Sequence, residues 1–404
     1  MPLPVQVHSK LPVWTAQLAG ILPLTALVEF IDVPSKLHSF ELTASVPLWN
    51  WPVTPAGARL LLSSEDNIDA CCLDSVGRSS AFHCMDGRYG DLYPSSAPAT
   101  ARLCAQTRER ATTVRNDSPN MKAKRGRKQR LNTIVLTRLP GLPQSRLATY
   151  LSSQLSPFFY SKSIGRINSH SVAYTVTSAF GWICWTGATV VTFMAGLWIA
   201  AAFLALMPLT GLTVSFTHGN TPRRLVDNRP AEFNRLIVAT DSVNGSNWWA
   251  FYGGSHTLNS LLNKPLYRVN PVPSWRPLAR MLLRLLIAGQ WVLGVVSCAF
   301  QDWNALVIFI WLMFCVFFSA YVHPSRKCVQ DWLKYNCRIG AARIEAEFST
   351  RISMLTALVY LNPDSKEKRT KWINPILQSD DRREWETALF NYISTGTRPL
   401  VIAC

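Results

Sequence analysis

Charge is what this sequence has least of. Asp, Glu, Lys and Arg make up 16% of it, against roughly 25% in an average soluble chain. None of the four occurs between Arg166 and Arg223. The phosphate-cradling Walker loop is absent, as are GxGxxG, HExxH and GxSxG patterns. Kinase, dehydrogenase and hydrolase chemistry therefore lack their usual phosphate cradle, metal ligands or nucleophile, and no cofactor is expected. The ten cysteines are scattered without CxxC spacing. Cys71, Cys72, Cys84 and Cys104 would bridge only in an oxidising compartment, and with His83 would make only an irregular metal site. Reduced, unrelated thiols are the expectation.

What remains is apolar and basic. Hydrophobic residues are 48%, with 15 Trp and 18 Phe, which excludes disorder throughout. Lys and Arg number 41 against 24 acidic residues, a net charge of +17. This combination fits a membrane protein with basic solvent-facing segments.

The run from Val172 to Phe216 would be roughly 68 Å long as one helix. A bilayer core of about 30 Å needs about 20 residues. The run is therefore read as two spans, 172–193 and 196–216, with a turn near Met194–Gly196. A second stretch, Met281 to Val322, carries only Arg284 and Asp302. Mid-bilayer Asp is costly, so Gln301-Asp302-Trp303-Asn304 is placed in a turn between spans 282–300 and 304–322, with Trp291 or Trp303 as interfacial anchor. Small residues Gly187, Gly196 and Gly294 suit close helix packing. Residues 1–31 form an apolar N-terminal segment, where Leu11–Ile31, interrupted by Pro12, Pro23 and Glu29, reads as an extra span, an uncleaved signal anchor or an interfacial helix.

Two transmembrane hairpins put every long connection on one side. Residues 33–171 hold 18 basic against 9 acidic residues, 217–280 hold 8 against 3, and 323–404 hold 13 against 9. The positive-inside rule makes all three cytosolic.

Residues 32–171 read as a basic, largely disordered segment. Within it KAKRGRKQR, residues 122–130, offers Lys122, Lys124, Arg125, Arg127, Lys128 and Arg130 as a contact for anionic lipid, or as a solvated linker. No aromatic stacking residues or nucleic-acid fold surround the run, which disfavours nucleic acid as a partner. Residues 217–280 read as a cytosolic loop module: strands at Leu236–Thr240 and Trp248–Tyr252, an Asn244-Gly245 turn tolerating positive φ, and a short helix at Asn259–Leu262. Asp241, Asn247 and His256 are weak polar-site candidates there, set against a reading in which they serve the hairpin. Residues 323–404 read as a cytosolic helical tail. Ile339, Ile344, Phe348, Ile352, Leu355 and Val359 recur at helical spacing. A second helix opens at Asp380 or Asp381, carries Trp385, Leu389, Phe390 and Ile393 on one face, and stops at Gly396. Cys328, just beyond the fourth span, is a candidate for palmitoylation. Asn116 and Asn244 match the N-glycosylation pattern and serve as topology reporters.

The phrases LIVATDSVNGSNWWAFYGGSHTLNSLLNKPLY and ALVYLNPDSKEKRTKWINPILQSDDRREWETAL resemble stretches of uncharacterised fungal multi-pass integral membrane proteins. With the apolar pairs, the resemblance covers about residues 172–404. It implies a membrane location and carries no activity, so no functional residue is transferred.

The expectation is a mainly α membrane protein: two transmembrane helical hairpins, a small cytosolic β-hairpin/helix module and a helical C-terminal tail. A structural or interaction role follows, with membrane lipids as partners and self-association or a protein partner through the transmembrane and C-terminal helices. The alternatives are a subunit of an oligomeric transporter or channel, and a membrane enzyme using Asp241 and His256.

Overall fold

The computed structural model describes residues 11–29, 32–44, 47–62, 71–74, 80–106, 112–115, 128–139, 172–218, 222–227, 229–264, 266, 275–364, 370–374, 376 and 382–395. The chain is mainly helical with one sheet and divides into two compact units. Neither unit is continuous in sequence. The first draws on residues 1–73, 141–224 and 267–336, the second on 74–140, 225–266 and 337–404.

Among the described residues the regular elements of the first unit are helices: α1 (Val13–Ala19), α2 (Leu22–Glu29), α3 (Val33–Thr43), α4 (Pro55–Leu62), α5 (Val172–Met194), α6 (Trp198–His218), α7 (Arg276–Phe300), α8 (Trp303–Phe317) and α9 (Ser325–Asp331), the last continued by a π-helical turn Trp332–Asn336. Helices α5 to α8, the last extended by a π-helical turn Phe318–Val322, are long and apolar enough to cross a membrane. Their ends follow local chemistry. Gly196 takes φ +71° in the turn between α5 and α6, a conformation that costs glycine nothing. Asp302 caps α8 by accepting from Asn304 N at 2.9 Å and also holds the Asn304 amide at 2.7 Å. Asn304 Oδ1 in turn accepts from Ala200 N, 3.1 Å away in the first turn of α6, satisfying one of that helix's orphan donors. Asp302 thus stands in the turn between α7 and α8, where it was expected. Pro208 inside α6 has no N–H to give Leu204 O, and Trp185 Nε1 on α5 donates to that carbonyl instead, at 3.0 Å.

The apolar N-terminal segment is broken into α1, α2 and α3. The helical stretch Val13–Val28 and α3 are bent by 46° relative to one another, and the two together are the fifth candidate span.

The second unit is a seven-stranded mixed sheet: β1 (His83–Asp86), β2 (Leu92–Pro94), β3 (Thr112–Arg115), β4 (Gln129–Arg138), β5 (Asn234–Thr240), β6 (Asn247–Gly254) and β7 (Ile339–Phe348), in spatial order β2-β1-β5-β6-β4-β7-β3. β4 runs parallel to β6, β3 runs parallel to β7, and the other neighbours are antiparallel. α10 (Arg351–Leu361) and α11 (Arg382–Thr395) cover one face, where Met354, Leu355, Leu358, Val359, Trp385 and Leu389 share a core with Leu131, Leu236, Val238 and Trp248. Ile237, Ile134 and Phe251 form a row on the other face and are buried.

Three expectations change here. The described parts of 32–171 are ordered where a largely disordered segment was expected: they hold α3, α4, a helix at Pro98–Ala105 and four of the seven strands. The hairpin expected within 217–280 is present as β5 and β6, and it is part of the larger sheet. Ile339–Phe348 is a strand, not a helix. Its Ala, Glu and Arg favour helix intrinsically, yet pairing with β4 on one side and β3 on the other outweighs that preference, and the helix begins only after the Thr350 cap on Ser353 N. In the β5–β6 turn Gly245 N donates to Ser242 O at 2.8 Å. Gly245 is therefore the fourth residue of the turn and does not take the positive φ expected of it. Asp380, Asp381 and Gly396, expected at the ends of α11, lie outside the described residues, as does the side chain of Ile393.

Candidate functional site

Helix α3 is the unusual element of the first unit. Asp32 caps it by accepting from Ser35 N at 3.1 Å, Pro34 stands in its first turn, and Ala44 closes it with φ 54°. Nearly all of it is buried. A helix buried all round is normally apolar, but this one carries Lys36, His38 and Glu41. Each is held by a neighbour. Lys36 donates to Asn50 O and lies 4.8 Å from the Trp51 ring centroid. His38 Nδ1 accepts from Leu73 N at 3.3 Å. Glu41 accepts from Cys72 N at 2.6 Å and meets His218 Nδ1, at the end of α6, at 3.3 Å.

The chain then runs without helix from Pro47 to Thr54, packed among the apolar helices. Such backbone must find its hydrogen bonds inside the protein. Gln290 on α7 supplies them: its amide donates to Trp51 O (3.1 Å) and to Thr210 Oγ1 (2.7 Å), and its Oε1 accepts from Val53 N (3.1 Å). Trp291 Nε1 donates to Val53 O at 2.8 Å. Asn50 donates to Cys315 O (3.2 Å) and Ser319 Oγ (3.1 Å) on α8 and its π-helical extension. Trp49 packs edge-on against Trp311 and Phe318. The glycines that permit this approach are Gly181 and Gly211. A Cβ at Gly181 would collide with the Trp49 ring, and one at Gly211 with Leu48 O. Of the glycines expected to pack helices, Gly187 meets nothing within 4 Å, Gly196 serves the turn, and only Gly294 has a side-chain neighbour, Leu27.

Between the start of α3, Asn50 and the π-helical turn Phe318–Val322 lies a cavity of about 260 Å³. Its polar lining comprises Asp32, Ser35, Lys36, Asn50, Ser319 and His323, among others. Lys36 and Asn50 are each at least nine-tenths buried. Cys328 also lines it. Burial pushes that thiol up to about 12, so it is neither exposed nor activated in the way acylation of this cysteine would need.

The candidates from sequence lie in the second unit and do not converge. Asp241 follows β5 and pairs with Arg102 at 2.7 Å. Asn247 opens β6 at the same end of the pair, exposed. His256 follows β6 at the opposite end and meets Asp227 at 3.1 Å. A seven-residue strand, roughly 23 Å long, separates the ends. Asp227 is held below the usual carboxylate range, first by the Arg229 N–H and then by His256. Lys122, Lys124, Arg125 and Arg127 lie outside the described residues. Lys128 is exposed, and Arg130, on β4, pairs with Glu347 at 3.2 Å. Cys71, Cys72, Cys84 and Cys104 are all buried; burial raises Cys84 to about 12 and Cys104 further.

No protein-family description, curated protein or solved structure matches the chain. The site must be read from its own chemistry. Sequence reasoning passed over Lys36 and Asn50, although two signals were present: a lysine among the apolar positions of 33–43, and a Trp-Asn-Trp-Pro phrase too apolar for a linker.

Proposed function

We propose that the chain is an integral multi-pass membrane protein in which α5–α6 and α7–α8 cross the bilayer as two pairs, with a structural or interaction role at that membrane. The supporting observation is the composition of the sheet. Its strands come from three segments: β1 to β4 precede α5, β5 and β6 lie between α6 and α7, and β7 follows α8. Strands share a sheet only if they share a compartment. An even number of crossings must therefore separate them, and two pairs of apolar helices meet that condition. The basic excess of all three segments agrees, and makes the shared side cytosolic. The exposed faces of α5 and α7, with Val176, Phe180, Ile183, Leu285, Val292 and Val295, suit lipid tails or a second copy. The apolar faces of α10 and α11 are spent on the sheet, so a protein partner would engage other surfaces.

Alkaline carbonate extraction tests insertion. The chain should stay in the membrane pellet, and release into the supernatant would contradict the proposal.

One observation favours a transporting role as the second reading. Irregular backbone among apolar helices recurs where transporters build their sites, and residues 47–54 are such a segment. Solute flux in reconstituted vesicles, lost on substitution of Gln290, would support it. Asp241 and His256 stand too far apart to carry the enzyme reading together.

A further inference from the structure

We propose that the cavity beside α3 binds a protonated phosphate group, either free or as the monoester headgroup of a lipid. Five features of the cavity select this chemistry. The Lys36 amine lines the cavity, at least nine-tenths buried, and no carboxylate lies within 4.0 Å of it among the described residues. Burial without a partner disfavours the charged form, and a bound anion supplies the partner that holds the proton on it. Asn50, 2% exposed, uses its amide N–H groups on Cys315 O and Ser319 Oγ, while its Oδ1 accepts no hydrogen bond among the described residues. An orphaned acceptor calls for a donor. Asp32, on the same lining, adds a second acceptor beside its bond from Ser35 N. One small ligand supplies negative charge and O–H donors together: a phosphate that has kept a proton. Sulfate has the charge and the shape but no proton at neutral pH. The volume, about 260 Å³, lies below the roughly 300–1,000 Å³ of pockets for drug-sized ligands, and so suits a headgroup or ion. Ser35 and Ser319 line the same space with hydroxyls that accept or donate as the ligand requires.

The test uses the full chain in detergent, so it reads ligand chemistry and is independent of which way the spans run. Inorganic phosphate and sulfate are titrated separately by calorimetry at pH 7 and constant ionic strength, as are micelles doped with phosphatidic acid or with phosphatidylcholine. Saturable phosphate or phosphatidic acid binding, at least tenfold tighter than sulfate or phosphatidylcholine, is expected. Response to phosphate alone identifies the free ion, and response to phosphatidic acid alone identifies the lipid. Lys36→Met should weaken binding at least tenfold, and Lys36→Arg, which keeps the charge, should retain part of it. If Lys36→Met does not fold, the phosphate-to-sulfate ratio of the natural chain decides alone. Equal affinity for phosphate and sulfate, no saturable binding of either phosphate source, or a folded Lys36→Met chain that binds unchanged would overturn the proposal.

Discussion

Ile134, which precedes the first pair of apolar helices in the chain, stands beside Phe251, which lies between the two pairs, in parallel register. On its other side Ile134 faces Arg343, which comes after the second pair. One residue thus touches all three connecting segments through the sheet, and the membrane reading must accommodate that.

The buried segment at 47–54 depends on one side chain. Gln290→Leu removes the partners of Trp51 O and Val53 N together. An unsatisfied buried group costs about 1–3 kcal/mol, so a loss of about 2–6 kcal/mol is expected from two. Unfolding of the detergent-purified chain checks it. Thr210→Val, which leaves both backbone groups paired, should cost less.

The glycines divide into two kinds. Gly211→Ala should sharply lower the yield of monodisperse protein, because the new methyl meets the Leu48 carbonyl, which is backbone and cannot swing away. Gly187→Ala should leave yield unchanged or raise it slightly, since it meets open space and alanine is the better helix former by about 1 kcal/mol. Size-exclusion profiles of the two variants separate these outcomes.

Within the sheet unit, Arg235 holds Asp86 bidentately, with Nε to Oδ1 at 2.8 Å, and both side chains are largely buried. Removing one partner of such a pair costs about 3–5 kcal/mol, so Asp86→Ala should destabilise the chain strongly in denaturant unfolding. Arg130→Ala breaks a pair whose cation is 58% exposed and should change stability by less than about 1 kcal/mol.

Cys84 provides a pH test. Its thiol, raised by burial to about 12 in the folded chain, ionises in the unfolded chain near the ordinary value. Folded Cys84 should therefore resist alkylation at pH 8, and unfolding should expose it, as peptide mass mapping would show. The sign for stability follows. Between about pH 9 and 12 the folded state keeps a proton that the unfolded state loses, so this contribution is full below that window and declines across it.

The four apolar helices were legible because length and missing charge are local properties, both readable directly in a run as long as Val172–Phe216. The β5–β6 pair was legible through its Val, Ile and Trp residues and its Asn-Gly turn. β4 was not, because Leu131, Ile134, Val135 and Leu136 follow directly on a basic run that dominates its window. β7 misled for a different reason. Its spacing and composition are those of a helix, and only strands distant in sequence make it a strand. The cavity was the least legible feature. The partners of Asn50 are Lys36 on α3 and Cys315 and Ser319 near the end of α8, and no window of sequence holds them together.

The central claim is that the three connecting segments share one side of a membrane. Epitope tags in the 122–127 run, in the exposed turn at Asn244 and after Cys404, read by antibody in selectively permeabilised cells, test it most directly. All three tags should become accessible together, from the cytosol, with Asn244 unglycosylated in the untagged chain. A tag at Asn244 on the side opposite the other two, or a glycan on Asn244, would contradict the account.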